Sequence, residues 1–346
     1  MSLVFGPIPS RRLGRSLGIN NIPSKVCSYS CIYCQLGNTD YMSLKRRKFF
    51  PPDEVYKETL KRINLLQRAN KTINYITFVP DGEPTIDINL GNTIEKLKEL
   101  GIKIAIFTNS SLIWVKAVQE DLQKADWISI KIDSANENIW KKINKPHGFL
   151  ILKRIIQALE EFVCSFKGIL TTETMIVKNV NDDAESIYKT AELIRLINPK
   201  KSYILVPIRP PAKSWVKIPG EVELNEAFQI FSNLNINTEL LIHGEGTDFT
   251  FTSDAEKELL SILAVHPMSL DAVEMFLSNA NIDWNIIDEL LDNRILKEVE
   301  YSGNTFFIKN IKANNSEIHS EYEYSQIRQK KINKKHTLKQ NLCRIK

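Results

Sequence analysis

Apolar positions along this chain switch repeatedly between two periods. Short runs rich in Val, Ile and aromatic residues at 73–79, 102–107, 127–132, 169–177 and 203–208 predict strands, and 16–22 predicts a shorter one before them. Between these runs apolar residues recur every three or four positions, which predicts helices. The first opens at Pro51-Pro52-Asp53, a helix-start signal, and turns Val55, Leu60, Ile63 and Leu66 to one side. Further helices are predicted at 86–100, closed by Gly101, and at 112–122, 150–163 (approached through 136–143), 184–196 and 225–234.

Six strand–helix units in a row predict an α/β fold with a parallel sheet. A doubly wound sheet and a partial barrel fit this alternation equally, and both put chemistry at the carboxyl ends of the strands. Residues 251–310 read as a separate small unit. Helices are predicted at 255–264, 270–276 and 282–291, with Ser269 as an N-cap, followed by a strand pair, 295–299 and 305–308, around Ser302-Gly303-Asn304. Three helices and a hairpin resemble a winged helix. The third helix region carries Asp283, Asp288, Glu289 and Asp292 and no Lys or Arg. It would repel phosphates in a groove, so sequence-specific DNA binding is not expected, and a substrate-presenting or interaction role is.

Charge changes the picture only at the end of the chain. The 346 residues carry a formal net charge of +5. Residues 311–346 hold nine Lys or Arg against three Glu, so this tail accounts for the whole surplus and the body is nearly neutral. The tail reads as a flexible solvated extension or as a basic arm for RNA or another polyanion. A hydrophobic content of 43% excludes a largely disordered chain. No run approaches the ~20 apolar residues that span a bilayer. No apolar run precedes Arg11-Arg12, so a secretory leader is not expected and a cytoplasmic location is.

Three of the five cysteines fall in one segment, Cys27-x3-Cys31-x2-Cys34, while Cys164 and Cys343 stand alone. The odd total and the clustering argue against a disulfide framework and for a metal site in a reducing compartment. Three thiolates leave one iron of a four-iron cubane without a protein ligand, and an open position is what a catalytic metal keeps for its substrate. Zinc is the rival, but it wants a fourth Cys or His, and no His precedes His147.

The loops at the strand ends supply further candidates. Pro80-Asp81-Gly82-Glu83-Pro84-Thr85 follows the second strand, and Glu83 can accept charge-assisted hydrogen bonds from an ammonium. Thr108-Asn109-Ser110-Ser111 follows the third and can bond a ribose or a carboxylate, or cap the next helix. Lys131 and Asp133 stand two apart on the fourth, on one strand face, as an ion pair or as pocket contacts. His147 lies just beyond, and Glu173, Met175 and residues 179–182 mark a later strand end. Arg209 leaves the last strand before Pro210-Pro211 and suits bidentate contact with a carboxylate or phosphate, or a scaffold role. Ile242-His243-Gly244-Glu245-Gly246 is ambiguous.

Cys27-x3-Cys31-x2-Cys34, with Tyr33 just before the last Cys, resembles the signature of the radical S-adenosylmethionine (SAM) superfamily. The resemblance implies one [4Fe-4S] cluster on Cys27, Cys31 and Cys34, with its fourth iron chelated by SAM. It implies an electron transfer that releases a 5′-deoxyadenosyl radical, which abstracts hydrogen from a substrate, and a reductant such as flavodoxin or ferredoxin. It also implies a partial (β/α)6 barrel over residues 1–250. Tyr33, Asp81, Gly82, Glu83, Pro84, Thr85, Thr108, Asn109 and Ser110 become SAM contacts, with Asp81 where the family's Gly-Gly-Glu segment has its first Gly. Lys131, Asp133 and Arg209 become candidates for catalysis.

Pro9-Ser10-Arg11-Arg12-Leu13-Gly14, Asn144-Lys145-Pro146 and Arg209-Pro210-Pro211 resemble a narrower group, the Fe–S oxidoreductases related to the tRNA wyosine synthetase. Wyosine synthases hold a second cluster on extra Cys near the N-terminus. No Cys precedes Cys27 here, so one cluster is expected. The analogy implies RNA as substrate, with a peptide or small molecule as the alternative. The rival to an enzyme is a non-catalytic iron–sulfur redox or iron sensor that binds nucleic acid through the winged-helix-like unit. The acidic third helix and the polar strand-end loops count against it.

Overall fold

The computed structural model describes residues 2–242 and 254–310. The chain opens with a hairpin of β1 (Val4–Ser10) and β2 (Gly14–Ile19). Two short paired strands, β3 (Val26–Cys27) and β4 (Tyr41–Met42), clasp the cysteine loop between them. Strands and helices then alternate: α1 (Pro52–Arg68), β5 (Tyr75–Phe78), α2 (Leu90–Lys98), β6 (Lys103–Thr108), α3 (Lys116–Leu122), β7 (Trp127–Lys131), α4 (Glu137–Asn144), α5 (Leu152–Ser165), β8 (Ile169–Met175), α6 (Ala184–Ile197), β9 (Lys201–Leu205), α7 (Glu221–Asn233) and β10 (Thr238–Leu241). The starts follow local chemistry. Pro52, Asp53 and Glu54 fill the first turn of α1, which buries Val55, Thr59, Ile63 and Leu66. Asn136 caps α4 by accepting from the backbone N–H groups of Asn138 and Ile139.

One eight-stranded sheet carries the fold, in the order β1-β2-β5-β6-β7-β8-β9-β10. β1 is antiparallel to β2, and every later pair is parallel. The order never reverses, so there is no switch point of the doubly wound kind. The sheet is rolled. Arg12, in the turn before β2, has its guanidinium 5.9 Å from the Tyr203 ring on β9. A flat sheet would put these strands about 24 Å apart, five steps of ~4.8 Å. Leu13 at the same turn joins Ala105, Trp127, Tyr203 and Leu241 in one apolar cluster inside the roll. β1 and β10 end the order and do not pair, so the barrel stays open.

Five strands add to the eight expected: β1, the short pair β3 and β4, β10 and β11. β1 escaped the hydrophobic pattern because Pro7 and Pro9 interrupt it; an edge strand tolerates both, and its register shifts between Phe5 and Ile8. β10 is a seventh parallel strand, only four residues long. His243–Gly246 and the basic tail, 311–346, lie outside the described residues.

The remaining elements are α8 (Ala255–Leu263), β11 (Met268–Ser269), α9 (Leu270–Ala280), α10 (Asn285–Asp292), β12 (Leu296–Tyr301) and β13 (Asn304–Lys309). β11 is the last of the added strands, and the small sheet has the order β11-β13-β12. Leu259, Ile262, Phe276, Ile287 and Phe307 form its own core, against which Ile8 of β1 packs. Arg62 of α1 pairs with Glu258 of α8, and the Tyr301 hydroxyl donates to the Pro207 carbonyl at 2.6 Å. The small unit is thus joined both to the first edge of the sheet and to the loop after β9. No helix of the described residues is long and apolar enough to cross a membrane.

Candidate active site

A cavity of about 360 Å³ opens at the carboxyl ends of the strands. Cys27, Cys31 and Cys34 border it, together with Asp81, Gly82 and Glu83 and with Thr108 and Asn109. The cysteine loop is fixed on both sides. Lys25 N donates to the Asp81 carbonyl at 2.9 Å, and Ile32 N donates to Ile143 at the end of α4, also at 2.9 Å. Turns close between Cys34 N and the Cys31 carbonyl, 3.1 Å, and between Gly37 N and the Cys34 carbonyl, 3.0 Å.

All three thiols are free of disulfides. Burial pushes the Cys31 thiol up to about 12, with the Asp133 charge adding to it, and pushes Cys27 well above its usual value. Burial also raises Cys34. Such thiols ionise when a metal takes the proton's place. Side-chain amides stand ready to receive the sulfur charge: Asn109 Nδ2 lies 3.7 Å from Cys27 Sγ, and Asn144 Nδ2 lies 3.4 Å from Cys31 Sγ. Among the described residues no three His, Cys, Asp or Glu converge on a single-ion position. Zinc would need that convergence. A four-iron cluster takes each thiolate on a different iron and suits ligands spread around a cavity. The donor set fits the cluster.

Glu83 is buried and heavily solvated by the protein. Its Oε1 accepts from Thr85 N (3.1 Å), the Thr85 hydroxyl (2.6 Å) and the Thr108 hydroxyl (2.7 Å). Its Oε2 accepts from Asn109 N at 2.8 Å, which leaves acceptor capacity on that oxygen. Burial raises its pKa, and these donors pull it back. Pro84 and Thr85 open a single 3-10 turn, Pro84–Ile86, and are buried beneath the cavity rather than lining it. Ser110 has a φ of +57° and faces a second, small cavity with Asp133 and Asn144.

Lys131 and Asp133 share the small cavity, and of the two only Lys131 also lines the large one. β7 ends at Lys131, whose Nζ lies 3.7 Å from Glu173 Oε2 and 5.2 Å from the Tyr33 ring centroid. Lys131 lines the large cavity, where burial works against its charge and the Glu173 and Asp133 carboxylates outweigh that, holding its pKa up. Asp133, past the strand, lines the small cavity only. Its carboxylate accepts from the Tyr33 hydroxyl, from Asn144 Nδ2 at 2.6 Å and from Met175 N at 2.9 Å. Tyr33 lines the large cavity, and its hydroxyl serves Asp133. Arg209 also borders the large cavity. It donates to Gln35 Oε1 at 3.0 Å and, through Nη2, to His266 Nε2 at 3.1 Å. An arginine only donates, so His266 Nε2 accepts and a neutral imidazole carries its proton on Nδ1. Burial and then Arg209 hold the His266 pKa well below its usual value.

Several cavity residues stood outside the sequence-derived set. Arg12 pairs with Glu173, which also accepts from the Ser129 hydroxyl at 3.0 Å. Lys25 and Asp81 form an ion pair at 3.4 Å. His266 and Val265 come from the small unit. Arg12 and Asn144 carried a local signal, since each lies in a segment that resembles the narrower group, Pro9–Gly14 and Asn144–Pro146.

The radical SAM superfamily profile matches residues 21–191, the span that holds the cysteine loop, Glu83, Asn109 and Lys131. A UPF0026 protein of Methanocaldococcus jannaschii is 42% identical over 92% of this chain and 99% of its own. An S-adenosylmethionine-dependent nucleotide dehydratase of Flammeovirga pacifica is 25% identical over 83% of this chain and 92% of its own. Among solved structures, TYW1 with a lysine-pyruvate adduct bound covers 85% of this chain and 80% of that one, at 15% identity and a TM-score of 0.42. Three cysteines at the strand ends of a mostly parallel α/β sheet, within a matched span and beside a relative of nearly full length, make this chain a radical SAM enzyme, a member of the superfamily that works with a [4Fe-4S] cluster on three Cys and with SAM.

Proposed function

We propose that the chain cleaves SAM reductively and acts on a nucleoside of RNA. The observation that carries the chemistry is the meeting of Cys27, Cys31, Cys34 and Glu83 on one cavity. Held by Cys27, Cys31 and Cys34, a bound cluster would supply the electron for reductive SAM cleavage and so the means to take a hydrogen atom from the substrate. The protein's own residues do the rest. Cys27, Cys31 and Cys34 hold the metal. Glu83 offers the open side of Oε2 to the SAM ammonium, while Thr85, Thr108 and Asn109 keep that carboxylate in place. Gly82 lets the two loops touch. Lys131, steadied by Glu173, presents an ammonium to a carboxylate or phosphate. Asp133 acts as a positioning residue through Tyr33 and Asn144. Arg209 joins the loop after β9 to the small unit at the cavity wall.

Three observations support RNA. Arg11, Arg12, Lys25, Lys131 and Arg209 at the cavity outnumber Asp81, Glu83 and Glu173 there, which favours an anionic ligand. The relative from Flammeovirga pacifica is named for a nucleotide substrate. The tail is basic. Residues 1–250 serve as the core domain, 251–310 as a winged-helix-like unit that presents the substrate, and 311–346 as the basic arm. The helix–strand–helix–helix–hairpin order supports that assignment. The electron comes from a reductant such as flavodoxin or ferredoxin, in the cytoplasm. Mass spectrometry of tRNA and of small metabolites from deletion and wild-type cells tests the substrate. Loss of one modified nucleoside supports RNA; unchanged tRNA with an altered small metabolite overturns it.

A further inference from the structure

Lys25 is the least explained group at the cavity. It lies two residues before Cys27, is only 7% exposed, and its Nζ has no hydrogen-bond partner among the described residues. Buried N–H donors without well-aligned acceptors are costly. Its counter-ion is Asp81, 3.4 Å away and itself buried, whose other oxygen takes the Ser24 hydroxyl. The backbone gives Lys25 little freedom to turn elsewhere. Its N–H donates to the Asp81 carbonyl, its carbonyl accepts from Tyr41 N at 3.0 Å, and its φ is +63°. The ammonium borders the cavity on the side of the Cys34–Gly37 turn, where a Cβ on Gly37 would stand 3.9 Å from Nζ.

We propose that Lys25 and Asp81 form an opposed charge pair that sets the reduction potential of the cluster. Lys25 offers its unused N–H groups to the sulfur-rich corner that Cys34 provides and favours the reduced, more negative state; Asp81 restrains it. Charge and hydrogen bonds near the sulfurs are what move such potentials. The inference rests on the reading that Cys27, Cys31 and Cys34 hold the cluster.

The test is a redox titration of the reconstituted full chain without SAM, followed by electron paramagnetic resonance. Lys25→Met keeps the bulk of the stem and is expected to disfavour reduction about tenfold, a fall of 59 mV for a one-electron couple. Asp81→Asn is expected to move the midpoint the opposite way by a similar amount. The double variant and Lys25→Arg should stay close to the wild type. A pair that only shapes the loop would not give opposite signs. If Lys25→Met fails to load iron, Asp81→Asn alone must still raise the midpoint. Unmoved midpoints at full iron content, or shifts of the same sign, overturn the proposal. So does weakened SAM binding by Lys25→Met with an unchanged midpoint, which would assign Lys25 to SAM. A wild type that forms no cluster overturns the cysteine reading itself, and with it the proposal.

Discussion

Gly82 and Val26 touch through their backbones: a methyl group on Gly82 would stand 1.9 Å from the Val26 carbonyl oxygen. The same oxygen accepts from Glu83 N at 3.1 Å, and the two residues form a parallel bridge. The cysteine loop and the Glu83 loop are therefore one rigid piece. Gly82 also has a φ of +151°, open to glycine and strained for other residues. Gly82→Ala is expected to cost about 3 kcal/mol of stability in urea unfolding and to lower iron content after reconstitution. A variant with wild-type stability and full iron would show that the contact yields freely.

Glu83 separates a charge effect from a structural one. Glu83→Gln keeps the shape, removes the charge and, with its oxygen in the Oε1 place, sets its NH2 against Asn109 N alone, so SAM affinity should fall about 10- to 100-fold, the worth of one charge-assisted hydrogen bond, at unchanged iron content. Glu83→Ala strands Asn109 N and the Thr108 and Thr85 donors as well. It should also lose about 1–3 kcal/mol of stability. Isothermal calorimetry with SAM and urea unfolding read the two losses independently.

Asn144 supports a ligand from behind. Its Nδ2 reaches Cys31 Sγ at 3.4 Å and the Asp133 carboxylate at 2.6 Å. Asn144→Ala should weaken iron retention about tenfold, seen as faster loss of cluster absorbance to a chelator. Equal rates in variant and wild type would remove Asn144 from the support of the site.

Asp87 gives a pH dependence with a definite sign. Burial pushes its carboxyl up to about 6, although Asn89 N at 2.8 Å and Asn21 Nδ2 at 3.2 Å oppose this. The folded state therefore prefers the protonated acid. The stability this gives is full below about pH 4 and is lost as pH rises through 6. Relative to Asp87→Asn, the wild type should lose at most about 3 kcal/mol between pH 4 and pH 7. Parallel stability–pH curves for the two proteins would contradict the account.

The helices and central strands were legible because burial repeats at 3.6 or 2 residues, as Val55, Ile63 and Leu66 show in α1. β1 was not, since its two prolines are tolerated only by an edge that the sequence does not mark. The cysteine loop was legible because three ligands share one short segment. The pairings of Arg12 and Lys25 were not, because each acts through a long side chain on a group far along the chain, Glu173 or Asp81. Lys131 and Asp133 were expected on one face from strand alternation; both line the smaller cavity, while β7 stops at Lys131 and of the two only Lys131 also lines the large one. His266 reached the site through the docking of the small unit, which no local pattern carries.

The most direct measurement is 5′-deoxyadenosine formed by the anaerobically reconstituted chain with dithionite and SAM, alongside iron content. The wild type should hold about four irons and produce 5′-deoxyadenosine. Each of Cys27→Ala, Cys31→Ala and Cys34→Ala should produce none. No 5′-deoxyadenosine from a fully loaded wild type, or full production by any of the three variants, would contradict the account.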